Sequence, residues 1–225
     1  MIILRMLARL TAFVVWALVA ATMVFWGLRL LVRPQPAPSY AVAVGDANCM
    51  TLQGLQPGDH VLFHAAAGGV GLIVTGGFAP NIEGWLSPFG SRLASSGAAR
   101  SHRQITDAVH ADGGKIALQI LHAGRYAKVP QPVGASVIPS RINPRAPRRL
   151  SQAEIEATIE DFARCSALAL EAGFDGVEIM GSEGYLLNQF AVTRTNDRSD
   201  AWGGSVENRQ RLAIETVRRV RQRLG

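Results

Sequence analysis

The stretch HAAAGGVGLIVTGG, His64 to Gly77, decides the fold, because its two halves belong to different architectures. Ala65 to Gly71 has the small residues of a loop that lets backbone N–H groups approach a pyrophosphate at a helix N-terminus. Val70 to Thr75 is a β-branched run that ends in a glycine pair, as a strand facing a ligand would. The loop reading requires a helix directly afterwards and a second strand ending in a ribose-binding residue roughly 20 positions on. The chain continues instead as LIVTGGFAPN, a strand followed by Gly-Gly and Ala-Pro turn signals. The strand reading therefore governs Val70 onward, and Ala65 to Gly71 reads as a truncated fragment. Just upstream, Pro57-Gly58-Asp59 marks a turn before a β-rich run. His60 and His64 alternate along that run without a third ligand, so they read as ordinary strand residues.

Working outward, the chain becomes regular. A helix is expected from about Ser101 to Asp112, stopped by Gly113-Gly114, and KIALQILHAGRY supplies the next strand at Ile116 to Ile120. After a proline-rich excursion from Val129 to Pro147, Ser151 to Glu154 (SQAE) is a capping box. The helix it opens carries Ile155, Ile159, Phe162, Ser166 and Leu170 on one face and ends at Gly173. DGVEIM reads as a further strand, and Val206, Ala213, Val217, Val220 and Leu224 form the expected stripe of a last helix. Strand and helix alternating at this spacing predict parallel βα units. In barrels of such units chemistry gathers at the C-terminal strand ends, here Thr75 to Gly77, Gln119 to Arg125 and Met180 to Tyr185.

The other end of the chain has a different character. Leu10 to Leu28 is uncharged, flanked by Arg5, Arg9, Arg29 and Arg33, and just long enough for a hydrocarbon core of about 30 Å. It exceeds the usual apolar run of a signal peptide and lacks a clean small-x-small cleavage site, so an uncleaved single transmembrane helix is expected, of undecided orientation. The formal charge of +6 comes from scattered arginines without interleaved aromatics, which argues against a nucleic-acid surface. Cys49 and Cys165 are too far apart in sequence to suggest a disulfide framework, and no metal site is expected.

Three resemblances follow from these residues. The segment from the apolar run through PQPAPSYAVAVGDA weakly resembles inner-membrane proteins of bacterial general secretion pathways, implying a bacterial inner-membrane location. LQPGDHVLFHAAAGGVG resembles the nucleotide loop of quinone oxidoreductases. IVTGGFAPN, HADGGKIALQILHAGRY and the long run from Glu171 to Leu212 closely resemble the old yellow enzyme family of FMN-dependent (β/α)8 barrels, within it the 2,4-dienoyl-CoA reductase type. That last resemblance implies an NADH:flavin oxidoreductase. Reduced FMN, supplied by NAD(P)H, would reduce an activated C=C bond of an enoyl or dienoyl substrate such as a CoA ester. It also implies roles: Gly77 and Gln119 bind FMN, Gly77 because a side chain would strike the ring system. Tyr185 is the proton donor, and Glu183, with Met180, stands where many relatives carry a carbonyl-binding pair. Arg194 contacts substrate, or else pairs with Asp197 or Asp200. His122 and Arg125 are expected to be structural.

The expectation is therefore an α/β chain in three parts: an anchor at 1–33, a linker with the truncated loop at 34–69, and a partial TIM (β/α)8 barrel at 70–225 holding about strands 2–4. The first family strand, strands five to eight, the phosphate-binding loops and the iron–sulfur and FAD regions are expected to be missing. The open sheet edge would then favour self-association. Two functions remain open: an ene-reductase segment that needs completion, or an inactive membrane-anchored fragment or fused reading frame.

Overall fold

The computed structural model describes residues 51–52 and 71–225. The Leu10–Leu28 run, Cys49, His60, His64 and the glycine-rich loop up to Val70 lie outside the described residues. Among the described residues no helix is long and apolar enough to cross a membrane. The opening ambiguity is resolved at Gly71, which leads into strand β2, Leu72–Thr75, and not into a helix.

Among the described residues, five further strands and four α-helices complete the order. These are β1 (Thr51–Leu52), α1 (Ser96–Ala111), β3 (Lys115–Ile120), β4 (Val133–Gly134), β5 (Arg148–Arg149), α2 (Gln152–Glu171), β6 (Gly176–Ile179), α3 (Leu186–Ala191) and α4 (Val206–Leu224). β1, β2, β3 and β6 form one parallel sheet in that order, as in a partial (β/α)8 barrel. Ile73 pairs with Ile116, and Leu118 with Val177. The first family strand is expected to be missing, yet Thr51–Leu52 pairs in parallel with Val74 and Thr75, so the outer edge of β2 gains a partner for its backbone groups.

Side chains alternate across the sheet. Ile73, Ile116, Leu118 and Ile120 enter the main core with Val109 of α1, Phe162, Cys165 and Ala169 of α2, and Val220 of α4. Val74, Ala117, Gln119, Gly176 and Glu178 lie out of phase with them, and none belongs to that core. A second core joins Ile155, Ile159, Leu186, Phe190, Trp202 and Leu212, fixing α3 and the long loop before α4 onto α2.

Helix termini follow local chemistry. Ser151 forms the expected capping box with Glu154. α1 begins five residues earlier than the pattern suggests, because the Ser95 side chain accepts from the Ala98 N–H and starts the first turn there. Leu170 is 60% exposed, so the apolar face of α2 ends at Ser166 and Ala169. On α4 the buried positions are Leu212, Thr216 and Val220, spaced by four, while Val206 and Val217 are exposed. The stripe was misplaced because Thr216, whose hydroxyl donates to the Leu212 carbonyl, is buried in place of Val217. Cys165 is buried in α2, and burial pushes its thiol up to about 12.

Candidate active site

Gly77 and Gln119 meet at the C-terminal ends of β2 and β3. The Phe78 N–H donates to the Gln119 carbonyl at 2.8 Å, the Leu121 N–H donates to the Phe78 carbonyl at 2.9 Å, and the Thr75 hydroxyl accepts from the Gln119 N–H at 3.0 Å. A Cβ on Gly77 would lie 2.7 Å from Leu121 Cβ and 3.2 Å from Gln119 Oε1. Glycine is thus demanded by the protein's own packing, a reason independent of the ring collision inferred from sequence. The Gln119 side chain is half-buried, with Nε2 donating to Glu178 Oε2 at 2.9 Å and Oε1 without a hydrogen-bond partner among the described residues.

Tyr185 comes to the same end of the sheet from β6. It is the N-cap residue of α3, and the next N–H, that of Leu186, donates to the His122 carbonyl at 2.9 Å. Gln189, one turn on and 1% exposed, locks the two loops together. Its Nε2 donates to the Gly184 carbonyl at 2.7 Å and the Ala123 carbonyl at 3.3 Å, while its Oε1 accepts from the Arg125 N–H at 3.1 Å. Gly124, at φ 58°, passes so close that any Cβ would strike that amide. The Tyr185 phenol is half-buried and edge-on to Tyr126, ring centres 5.9 Å apart. Burial, then the nearby Glu183 and Tyr126, push its pKa above the ordinary phenol value, so it holds its proton at neutral pH.

The remaining candidates divide. Glu183 is exposed and sits at φ 60°, a backbone region costly for a non-glycine residue. Met180 packs, as do Trp85, Tyr126 and Tyr185, against the buried cluster of Leu121, Ala123, Ala127 and Val129 beside the site. Arg194 is exposed on the short turn Thr193–Thr195 and makes no ion pair among the described residues. The carboxylates considered for it are taken, Asp197 by Arg149 and Asp200 by Arg198. His122 is 1% exposed; its Nδ1 accepts from the Gly124 N–H, and burial lowers its pKa to about 3, so the ring is neutral. The Arg125 guanidinium donates to the Ile138 and Pro139 carbonyls, holding the proline-rich excursion.

Much of the long C-terminal motif is scaffolding. Arg198 is buried and donates to the Ala135 and Leu150 carbonyls as well as to Asp200, and Asn196 donates to the Phe190 and Trp202 carbonyls. Gln189 and Glu178 escaped the sequence reading. The available signals were the i, i+4 spacing of Gln189 from Tyr185 and the two-residue period that puts Glu178 on the face of Gln119.

The site residues suit one part of a flavin. The acceptor Oε1 and the uncommitted second N–H of Gln119 match an edge that alternates acceptor and donor, and the Gly77 backbone leaves room for close approach. A family model described as NADH:flavin oxidoreductase / NADH oxidase matches residues 50–225. The NADPH dehydrogenase of Halalkalibacterium halodurans is 38% identical over 155 residues, 69% of this chain and 46% of that protein. 12-oxophytodienoate reductase 1 of Oryza sativa subsp. japonica is 46% identical over 134 residues, 55% of this chain and 35% of that one. Among solved structures, morphinone reductase superposes with a TM-score of 0.65 at 30% identity, covering 68% of this chain and 47% of its own. A 2-naphthoyl-CoA reductase bound to 2-naphthoyl-CoA gives 0.67 at 30% identity, covering 71% and 27%. The chain spans at most about half the length of these curated relatives.

Proposed function

This chain belongs to the NADH:flavin oxidoreductase / NADH oxidase family, and from that premise we propose that residues 70–225 carry the ring-edge and proton-donor half of an FMN-dependent ene-reductase. Bound there and reduced by NAD(P)H, FMN would supply hydride to one carbon of an activated C=C bond. Gly77 and Gln119 hold the ring edge, and Tyr185 gives its phenolic proton to the α-carbon as that hydride reaches the other end. The observation that carries this reading is the convergence of Gly77, Gln119 and a protonated Tyr185 on one end of the sheet.

The substrate class is narrower within the proposal. Met180 and the exposed Glu183 in place of a carbonyl-binding pair, with an exposed Arg194 suited to an anionic ester, favour an enoyl or dienoyl CoA thioester. The structural likeness to a reductase bound to a CoA ester supports this choice. Attachment to a membrane through Leu10–Leu28 is part of the same proposal, and retention in the pellet after alkaline extraction is its expected outcome; release would overturn it.

The chemical test uses this chain fused to the second half of a relative's barrel. Tyr185→Phe should slow alkene reduction by about 10²–10⁴-fold while leaving flavin reduction by NAD(P)H unchanged. Equal slowing of both half-reactions, or of neither, would make Tyr185 a packing residue.

A further inference from the structure

A glutamine amide can lie either way round, and its two orientations present opposite patterns to a ligand. Glu178 takes that freedom from Gln119. β3 and β6 pair Gln119 with Glu178 in register, so both side chains rise on the same face of the sheet. A carboxylate only accepts, so the amide group 2.9 Å from Glu178 Oε2 must be the nitrogen. The carbonyl is then forced towards β2, where Oε1 lies 3.2 Å from the place a Cβ would occupy on Gly77.

Stability gives Glu178 little to do. It is exposed, and its carboxylate makes no ion pair among the described residues. An exposed pair of this kind contributes little to folding. Its effect falls instead on the chemistry of the amide: a charged acceptor at Nε2 polarises the group and makes Oε1 a better acceptor.

We infer that Glu178 is a positioning residue that fixes the polarity of the Gln119 amide, so that the site presents an acceptor on its Gly77 side to a ligand N–H flanked by carbonyls. The inference rests on the flavin reading above, since the pyrimidine edge of a flavin has that imide pattern. Glu178 acts through Gln119 and has no part in the transfer of hydride or proton.

Side-chain amide NMR spectra of the full chain test it in two arms. Without ligand, the two Gln119 Nε2 protons should be widely split in the wild type and should collapse towards free-glutamine values in Glu178→Ala, with backbone resonances of β3 unmoved. In the second arm FMN, or FMN methylated on its imide nitrogen, is titrated into the chain fused to the second half of a relative's barrel, since the chain alone is expected to bind FMN poorly, while the Gln119 signals are followed. The wild type should prefer FMN by about tenfold, the worth of one hydrogen bond, and the near-isosteric Glu178→Gln should prefer it by less than about threefold, because either amide can then turn. An unchanged amide splitting in Glu178→Ala, or an unchanged preference in Glu178→Gln, overturns the inference. A wild type whose signals ignore FMN would sink the flavin reading, and the ligand-free arm would still decide the role of Glu178.

Discussion

The two ends of the parallel sheet spend their polar groups differently. At the N-terminal end Asp175 is saturated: it accepts from the Ile116 N–H at 2.9 Å, from Lys115 Nζ at 2.9 Å, and bonds His110 Nε2 at 2.8 Å. Burial by itself would raise its pKa, but those partners outweigh it and hold the carboxyl below the usual range. At the C-terminal end Gln119 Oε1 and the Tyr185 phenol make no hydrogen bond among the described residues, while the neighbouring loops at Ala123, Arg125 and Gly184 are pinned by Gln189. One end is built to stay closed, and the other keeps its acceptor and its proton free on a rigid support. That division is the one expected of βα barrels, with stability at the bottom and chemistry at the top.

Substitutions that respect the division should separate activity from stability. Tyr185→Phe, with its 10²–10⁴-fold loss of alkene reduction, should leave thermal melting within about 0.5 kcal/mol of wild type, because no protein partner is lost. A large fall in melting temperature would place Tyr185 with the scaffold. Gly124→Ala tests the support itself: at φ 58° and against the Gln189 amide it should cost about 1–3 kcal/mol in urea unfolding and also blunt the response of Gln119 to FMN. A neutral result would mean that the loop is not fixed by Gln189.

Asp175→Ala should show the reverse pattern. Leaving the Ile116 N–H, Lys115 and His110 without their acceptor should cost about 1–3 kcal/mol, with the Gln119 amide splitting unmoved. A changed splitting would show that the two ends are coupled. The smallest effect belongs to acid. Glu154 is lowered from 4.5 to about 2, first by Arg148 and then by Ser151. Its folded pKa lies below its unfolded one, so its contribution is complete above about pH 4.5 and is lost as pH falls towards 2. Being partly exposed, the cap should give up no more than about 1 kcal/mol, and Glu154→Gln should flatten the melting profile across that window. A slope that survives the substitution would assign the acid sensitivity to Asp175 and other groups.

What the sequence determined by itself was local or periodic. The β-branched run after Gly71, the apolar run from Ile116 to Ile120, the capping box at Ser151 and the order of βα units depend on neighbours a few residues away, and they define a parallel α/β chain without coordinates. The candidate site positions came from the resemblance, whereas the exclusion of a helix from Gly71 to Gly77 came from the β-branched run and the turn signals after it. Tertiary structure decided the rest. α4 buries Thr216 and exposes Val217, because its facing is set by α2 and not by its own apolar count. Gly77 is required by Leu121, 44 positions on, and Gln119 is oriented by Glu178, 59 positions on. Such contacts join residues distant along the chain, and no local pattern encodes them; only the register of strands β2, β3 and β6 brings them within a hydrogen bond of each other.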